Sequence, residues 1–150
     1  MKDKNDFVVF EEILLNGSEI ELTDFACDKG LEIVVDWRED DSDVVQYVAN
    51  FLDQDELSAN WTDESLEITY NGNLYNLSLE SIGKNRYNTL RKLNEILRDK
   101  YEIRVFNNSF GNDTHTFLVR PNSWWITLEK QCPEKLNNIF SVLTDEMEIN

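Results

Sequence analysis

Residues 65–79 read SLEITYNGNLYNLSL, and this stretch decides the fold class. Apolar and polar side chains alternate in 65–70 and again in 73–79, which is the period of a strand with one buried face. Asn71-Gly72 lies between the two runs, and this dipeptide supplies the positive backbone φ angles of a type I′ turn. The sequence therefore predicts a β-hairpin that turns at Asn71-Gly72.

Four other stretches have strand character. Residues 19–23 and 31–37 precede the hairpin, and residues 101–106 and 114–120 follow it. Their side chains alternate in polarity or are rich in β-branched and aromatic types. A loop over 107–113 joins the last two stretches, so we expect them to form a second hairpin.

Helical spacing of apolar residues predicts helices at 42–52, at 85–99 and from Pro133 through Leu143. Residues 7–15 are apolar without a period that decides between helix and strand. Strands followed by helices and hairpins are typical of an α+β protein. We expect one domain over 1–150, with an antiparallel or mixed sheet and about three helices packed mainly on one face.

The charge of the chain is unevenly distributed. The formal net charge is −16; residues 1–75 contain 20 acidic and 4 basic residues, and residues 76–150 contain 10 of each. A negative field repels nucleic acid and anionic membranes, and it attracts basic proteins. The sequence has no signal-peptide pattern and no apolar stretch of membrane-spanning length, so we expect a cytoplasmic protein.

The acids concentrate between residues 36 and 64, where Arg38 is the one basic residue. Asp53, Asp55 and Glu56 are expected to crowd the C-terminal end of the first predicted helix, where the helix dipole disfavours acids. Trp37, Tyr47 and Trp61 are candidate aromatic anchors, a residue type that dominates binding hot spots. The predicted partner-binding residues are Asp36, Trp37, Glu39, Asp40, Asp41, Asp43, Asp53, Asp55, Glu56, Trp61, Asp63 and Glu64.

Chemistry-bearing motifs are scarce. The chain has one histidine, no glycine-rich phosphate loop, and two cysteines, Cys27 and Cys132, without the spacing of a zinc site. We therefore predict no catalytic residue, no metal and no cofactor. On a strand, Asp113 and His115 would point to the same face, and a carboxylate that orients an imidazole is half of a catalytic or metal site.

Two stretches carry a resemblance. The first is Val34-Val35-Asp36-Trp37 with the acids that follow it, and the second comprises 101–104, 108–119 and Trp124-Trp125. Together they resemble small acidic bacterial proteins of uncharacterised function, and the resemblance assigns no catalytic residue. In general character the chain is similar to immunity proteins, which bind and block bacterial toxins.

The leading hypothesis is a non-enzymatic, acidic protein-binding domain, of the immunity type, that inhibits a basic nuclease-like toxin. One alternative is a DNA-mimic decoy, which predicts carboxylates spaced like phosphates. The other is a small enzyme or ligand binder that uses Asp113, His115, Trp124 and Trp125, and it predicts a pocket that contains His115.

Overall fold

The structure, a computed structural model, describes residues 4–36, 38–78 and 87–144. No helix in these ranges is long and apolar enough to cross a membrane. The elements of the described residues are α1 (Lys4–Asn16), α2 (Glu19–Lys29), β1 (Ile33–Asp36), α3 (Asp41–Ala49), β2 (Leu57–Trp61), β3 (Ser65–Tyr70), β4 (Asn73–Ser78), α4 (Tyr87–Leu97), β5 (Tyr101–Phe106), β6 (Thr114–Pro121), α5 (Asn122–Gln131), α6 (Pro133–Ile139) and β7 (Phe140–Val142).

The hairpin predicted at Asn71-Gly72 is confirmed. β3 and β4 are antiparallel, and Tyr70 pairs with Asn73 across the turn. Asn71 has a φ of 49° and Gly72 a φ of 86°, so both central residues adopt the left-handed conformation that a type I′ turn requires. Leu66, Ile68 and Leu77 form the buried face of the hairpin.

The strands of the described residues form two antiparallel sheets instead of the single sheet that we expected. One sheet has the order β1-β6-β5-β7 and the other has the order β2-β3-β4. The second predicted hairpin is confirmed as β5 and β6, which pair from Tyr101↔Pro121 to Val105↔Phe117. The α+β class and antiparallel pairing are therefore correct.

Helices cover both faces of the four-stranded sheet, and the expectation of one face is wrong. Tyr87 of α4 packs its ring on Phe117 of β6. Arg120, three residues further along β6, points to the opposite face, since side chains alternate along a strand. There its guanidinium lies over Phe7 of α1 and Trp124 of α5. α3 contacts α4 and both sheets, so it joins the two sheets on the α4 side.

The strand expected at 19–23 is wrong, because these residues begin α2. Ser18 caps the helix by accepting a hydrogen bond from the Glu21 backbone N–H at 3.1 Å, and its hydroxyl donates to the Glu21 carboxylate at 3.3 Å. Gly30 ends the helix in the left-handed conformation, with a φ of 65°. Two caps therefore override an alternation of only five residues.

The described residues contain six α-helices, so the count of about three is wrong. Residues 7–15, which the period left undecided, belong to α1, and Phe7, Phe10 and Leu14 are buried at helical spacing. The last predicted helix is too long. It ends at Ile139, and Phe140–Val142 pair instead with β5 as an edge strand.

Candidate functional site

Trp61 lies at the end of β2 with its side chain turned partly to solvent. It is 41% exposed. Its Nε1 donates a hydrogen bond to Oδ1 of Asp40 at 3.0 Å. The indole ring offers a large apolar area, and this hydrogen bond fixes its orientation. Trp61 is therefore an oriented aromatic group at the surface.

Asp40 connects Trp61 to the beginning of α3. Its Oδ1 also accepts hydrogen bonds from the Ser42 backbone N–H at 2.8 Å and from the Ser42 hydroxyl at 2.6 Å. These contacts make Asp40 the N-cap of α3. The helix predicted at 42–52 therefore begins one residue earlier, at Asp41. The Asp40 carboxylate thus caps α3 and also fixes the orientation of the Trp61 indole.

The charges of three further carboxylates act on the hydroxyl of Tyr47, which is on α3. Tyr47 donates a hydrogen bond to Glu39 at 2.9 Å. That bond is the largest cause of the raised pKa of Tyr47, and the charges of Glu39, Asp43 and Asp36 raise it further. Asp36 accepts a hydrogen bond from the Arg38 backbone N–H at 2.7 Å, and this contact is the first cause of its lowered pKa.

The turn between β2 and β3 adds two exposed acids, Asp63 and Glu64. Neither carboxylate, nor that of Asp43, makes a hydrogen bond or ion pair with any residue that the structure describes. An open groove of about 700 Å³ lies beside this turn, and Glu67 also lines it. These three carboxylates are exposed and have no counter-charge among the residues that the structure describes.

We call this group the Trp61 surface. It consists of Asp36, Glu39, Asp40, Asp43, Trp61, Asp63 and Glu64. These are seven of the twelve residues that the sequence selects as partner-binding. Trp37, another of the twelve, lies outside the described residues.

Among the acids from Asp36 to Asp43, Asp41 is the one whose side chain is buried. It is 1% exposed, and Thr89 of α4 donates a hydrogen bond to its Oδ1 at 2.6 Å. A buried carboxylate with a hydrogen-bond donor holds α3 against α4. Asp41 is therefore placed to stabilise the fold.

Asp53, Asp55 and Glu56 lie beyond the other end of α3. The helix ends at Ala49, so these acids do not crowd its last turn, and that expectation is wrong. The helix has nine residues, and at about 1.5 Å per residue roughly 13 Å separate its two ends. The acids between residues 36 and 64 therefore divide into two groups.

Asp55 anchors this second group to the C-terminal half of the chain. Its side chain is 9% exposed and lies 3.0 Å from Nζ of Lys100. Asn71 also donates a hydrogen bond to it at 3.0 Å. Burial raises the pKa of the Asp55 carboxyl, but hydrogen bonds from Asn71, Lys100 and Tyr101 outweigh burial and hold the pKa below its ordinary value.

Asp113 and His115 do not form a pair. Asp113 precedes β6, so the alternation of the strand does not align it with His115, and it is exposed. His115 is 5% exposed, its Nδ1 shares a hydrogen bond with the Tyr87 hydroxyl, and Phe110 packs on its ring. Burial lowers the pKa of His115. The imidazole is thus part of the packing between α4 and β6.

Trp124 and Trp125 lie on the other side of the four-stranded sheet from His115. Trp125 is 1% exposed and donates a hydrogen bond from Nε1 to the Glu102 carbonyl at 3.0 Å. Trp124 is 8% exposed and packs against Phe10. The four residues of the alternative site are therefore not brought together.

Sequence reasoning does not select Glu67 and Asn76, which line the groove beside Asp63 and Glu64. A usable signal was nevertheless present. The two-residue turn at 71–72 fixes the register of the hairpin, and Glu67 is directly opposite Asn76. Directly opposed side chains share a face, so the pair is predictable once the turn type is known.

No group of three or more His, Cys, Asp or Glu side chains suited to a metal ion occurs among residues 4–36, 38–78 and 87–144. Comparison with family models, with curated proteins and with solved structures finds no match to this chain. The site is therefore interpreted from its own residues.

Proposed function

We propose that this chain is an acidic protein-binding domain whose Trp61 surface binds a basic protein. The observation that carries the proposal is the position of Trp61. It is an exposed indole that is oriented by Asp40, the N-cap of α3. Asp63 and Glu64 in the turn after it and Asp43 on α3 are exposed and make no ion pair with a described residue.

The two kinds of side chain would contribute differently to binding. Aromatic rings that become buried at an interface supply much of the affinity, and tryptophan is enriched among such residues. Exposed charges around them act mainly on the association rate, because they attract a partner of opposite sign over a distance of about 10 Å at moderate salt. Trp61 would anchor the partner, and Asp43, Asp63 and Glu64 would steer it.

A finer proposal concerns the identity of the partner. We propose an immunity-type role, in which the partner is a basic, nuclease-like toxin and binding blocks its phosphate-binding surface. The net charge of −16 supports this choice, since nucleases present basic surfaces to their substrates. Asp41 and Asp55 are held by contacts within the fold, which reduces the number of acids free to imitate a row of phosphates. The DNA-mimic alternative is for this reason the weaker one.

The test compares two triple variants with equal changes of charge. The site variant is Trp61→Ala, Asp63→Lys, Glu64→Lys. The control variant is Ile20→Ala, Asp24→Lys, Asp28→Lys, which changes an exposed apolar side chain and two exposed acids on α2. Immobilised wild-type protein first captures basic proteins from an extract of the source organism, and each captured protein is identified and purified.

Association rates are then measured by stopped flow over a range of salt concentrations. We expect the site variant to associate at least about tenfold more slowly than wild type, with a weaker dependence on salt, and the control to stay within about twofold. Equal rates for the two variants, or the absence of any captured protein, would contradict the proposal. Inhibition of a nuclease activity at one-to-one stoichiometry tests the finer proposal separately.

A further inference from the structure

A cleft of about 290 Å³ lies between α1, the loop after α3 and the ends of β5 and β6. Aromatic side chains form much of its wall, including Phe7, Tyr101 and Trp124. Lys4 and Asp53 also line it and lie 3.9 Å apart, so their charges offset each other. Arg120 and Glu11 are the remaining charged residues of the lining, and no ion pair joins them.

Arg120 is held in this cleft between two aromatic rings. Its Cζ lies 3.7 Å from the ring centroid of Phe7 and 5.3 Å from that of Trp124. Its side chain makes no hydrogen bond and no ion pair with any residue that the structure describes, and its Nε is buried. Burial lowers the pKa of the guanidinium to about 10. A partly buried guanidinium whose hydrogen bonds are unmet is costly for the folded state.

Arg104 is also an arginine stacked on an aromatic ring, but its guanidinium is paired with carboxylates. Its guanidinium also lies over an indole, that of Trp125, at 4.5 Å. It is in addition paired with two carboxylates, Glu102 at 2.9 Å and Glu129 at 2.5 Å. Arg120 has the stacked ring and lacks the carboxylates. This contrast points to an anion as the missing component of the cleft.

A second unpartnered atom belongs to another residue of this lining. The described residues contain two buried side-chain nitrogen or oxygen atoms without a hydrogen-bond partner, Nε of Arg120 and Nε1 of Trp124. Buried polar atoms in native proteins are almost always paired, and both exceptions belong to residues that line this cleft.

We propose that this cleft binds a small organic carboxylate, with the carboxylate on the Arg120 guanidinium and an apolar body against the aromatic wall. Guanidinium groups pair with carboxylates through two parallel hydrogen bonds. Glu11 also lines the cleft, and its charge acts on Arg120 without an ion pair between them, so it disfavours anions with more than one charge. The Arg120 guanidinium, whose hydrogen bonds are unmet among the described residues, and the aromatic wall match a ligand with one negative charge.

Benzoate is a suitable probe, and benzamide is its neutral control. Binding is measured by calorimetry with wild type, Arg120→Met and Arg98→Met, the last of which removes an exposed cation elsewhere. We expect saturable binding of benzoate to wild type and to Arg98→Met, and at least about tenfold weaker binding to Arg120→Met. Benzamide should bind at least about tenfold more weakly than benzoate, because it lacks the charge.

Nuclear magnetic resonance of the wild-type protein gives a readout that does not depend on a variant folding. Benzoate should shift the indole N–H signal of Trp124 and leave that of Trp61 unchanged. The proposal is overturned if benzoate does not bind at about 10 mM, a concentration well above the Kd of weak ligands. It is also overturned if Arg120→Met binds as wild type does, if the shifts lie at Trp61, or if inorganic phosphate binds more tightly than benzoate.

Discussion

The acids near the N-terminal end of α3 and the acids beyond its C-terminal end differ in what their carboxylates contact. In the first group, Asp43 and the pair Asp63 and Glu64 in the β2–β3 turn are exposed. In the second group, Asp55 lies between Asn71 and Lys100, which lie in other parts of the fold. Both groups belong to one acidic region of the sequence. Acids that are close in the sequence therefore need not form one surface. The side chains that pack against each carboxylate decide whether it is exposed or held within the fold.

The largest effect expected from this comparison concerns the buried member of the first group. Asp41→Ala should lower the free energy of unfolding by about 2–3 kcal/mol, because it leaves the Thr89 hydroxyl buried without an acceptor. Asp43→Ala, two residues away and exposed, should change it by no more than about 0.5 kcal/mol. Urea unfolding measures both. Equal losses in the two variants would show that burial does not separate these acids.

A smaller effect is expected at Asp55, and it should depend on pH. Asp55→Ala should cost about 1–2 kcal/mol at pH 7, because Asn71 and Lys100 lose an ionised acceptor. The pKa of Asp55 is lowered in the folded state below its ordinary 3.8. Its contribution is therefore complete above pH 3.8 and is lost as the pH falls through the folded-state pKa.

The measurement is the difference in unfolding free energy between wild type and Asp55→Ala from pH 7 to pH 3. The difference should be constant down to about pH 4 and should then shrink. Glu56→Ala serves as the control, since its side chain is exposed and one residue away. A difference that grows toward low pH would mean that Asp55 is not stabilised in its ionised form.

The smallest effect on stability is expected at the Trp61 surface. Asp63→Lys with Glu64→Lys should change the free energy of unfolding by no more than about 0.5 kcal/mol, since neither carboxylate has a partner among the described residues. A slight gain is expected because the net charge of −16 becomes less negative. Thermal melts of this variant and of Asp24→Lys with Asp28→Lys provide the comparison. A loss above about 1 kcal/mol at Asp63 and Glu64 alone would assign them to the fold.

Local patterns predicted the elements whose signal is complete within a short stretch. The hairpin at 65–78, the strands β5 and β6, and the helices α3 and α4 were predictable because turn type, alternation and helical spacing agree. The same reasoning failed for 19–23, where the period of two competed with the Ser18 and Gly30 caps. It also failed at 140–142, because a strand at the edge of a sheet depends on β5, far away in the sequence.

The sequence identified the residue types of the site but not their arrangement in the fold. The acids between residues 36 and 64 and Trp61 stand out in the sequence, but the contact between Trp61 and Asp40 spans 21 positions. No periodicity reveals such a contact. The cleft at Arg120 is hidden for the same reason, since α1 and the end of β6 meet only in the folded chain.

The pairing of β1 has a consequence for how the chain assembles. β1 pairs with β6, so residues 33–36 are joined to residues 114–117 and the intervening chain must close a long loop. Loop closure of this kind is slow compared with the formation of a local hairpin. During synthesis, β2, β3 and β4 can pair as soon as they emerge. β1 can pair only after its partner β6, in the last third of the chain, has been synthesised. The acidic half therefore completes its pairing only after β6, in the second half of the chain, has been made.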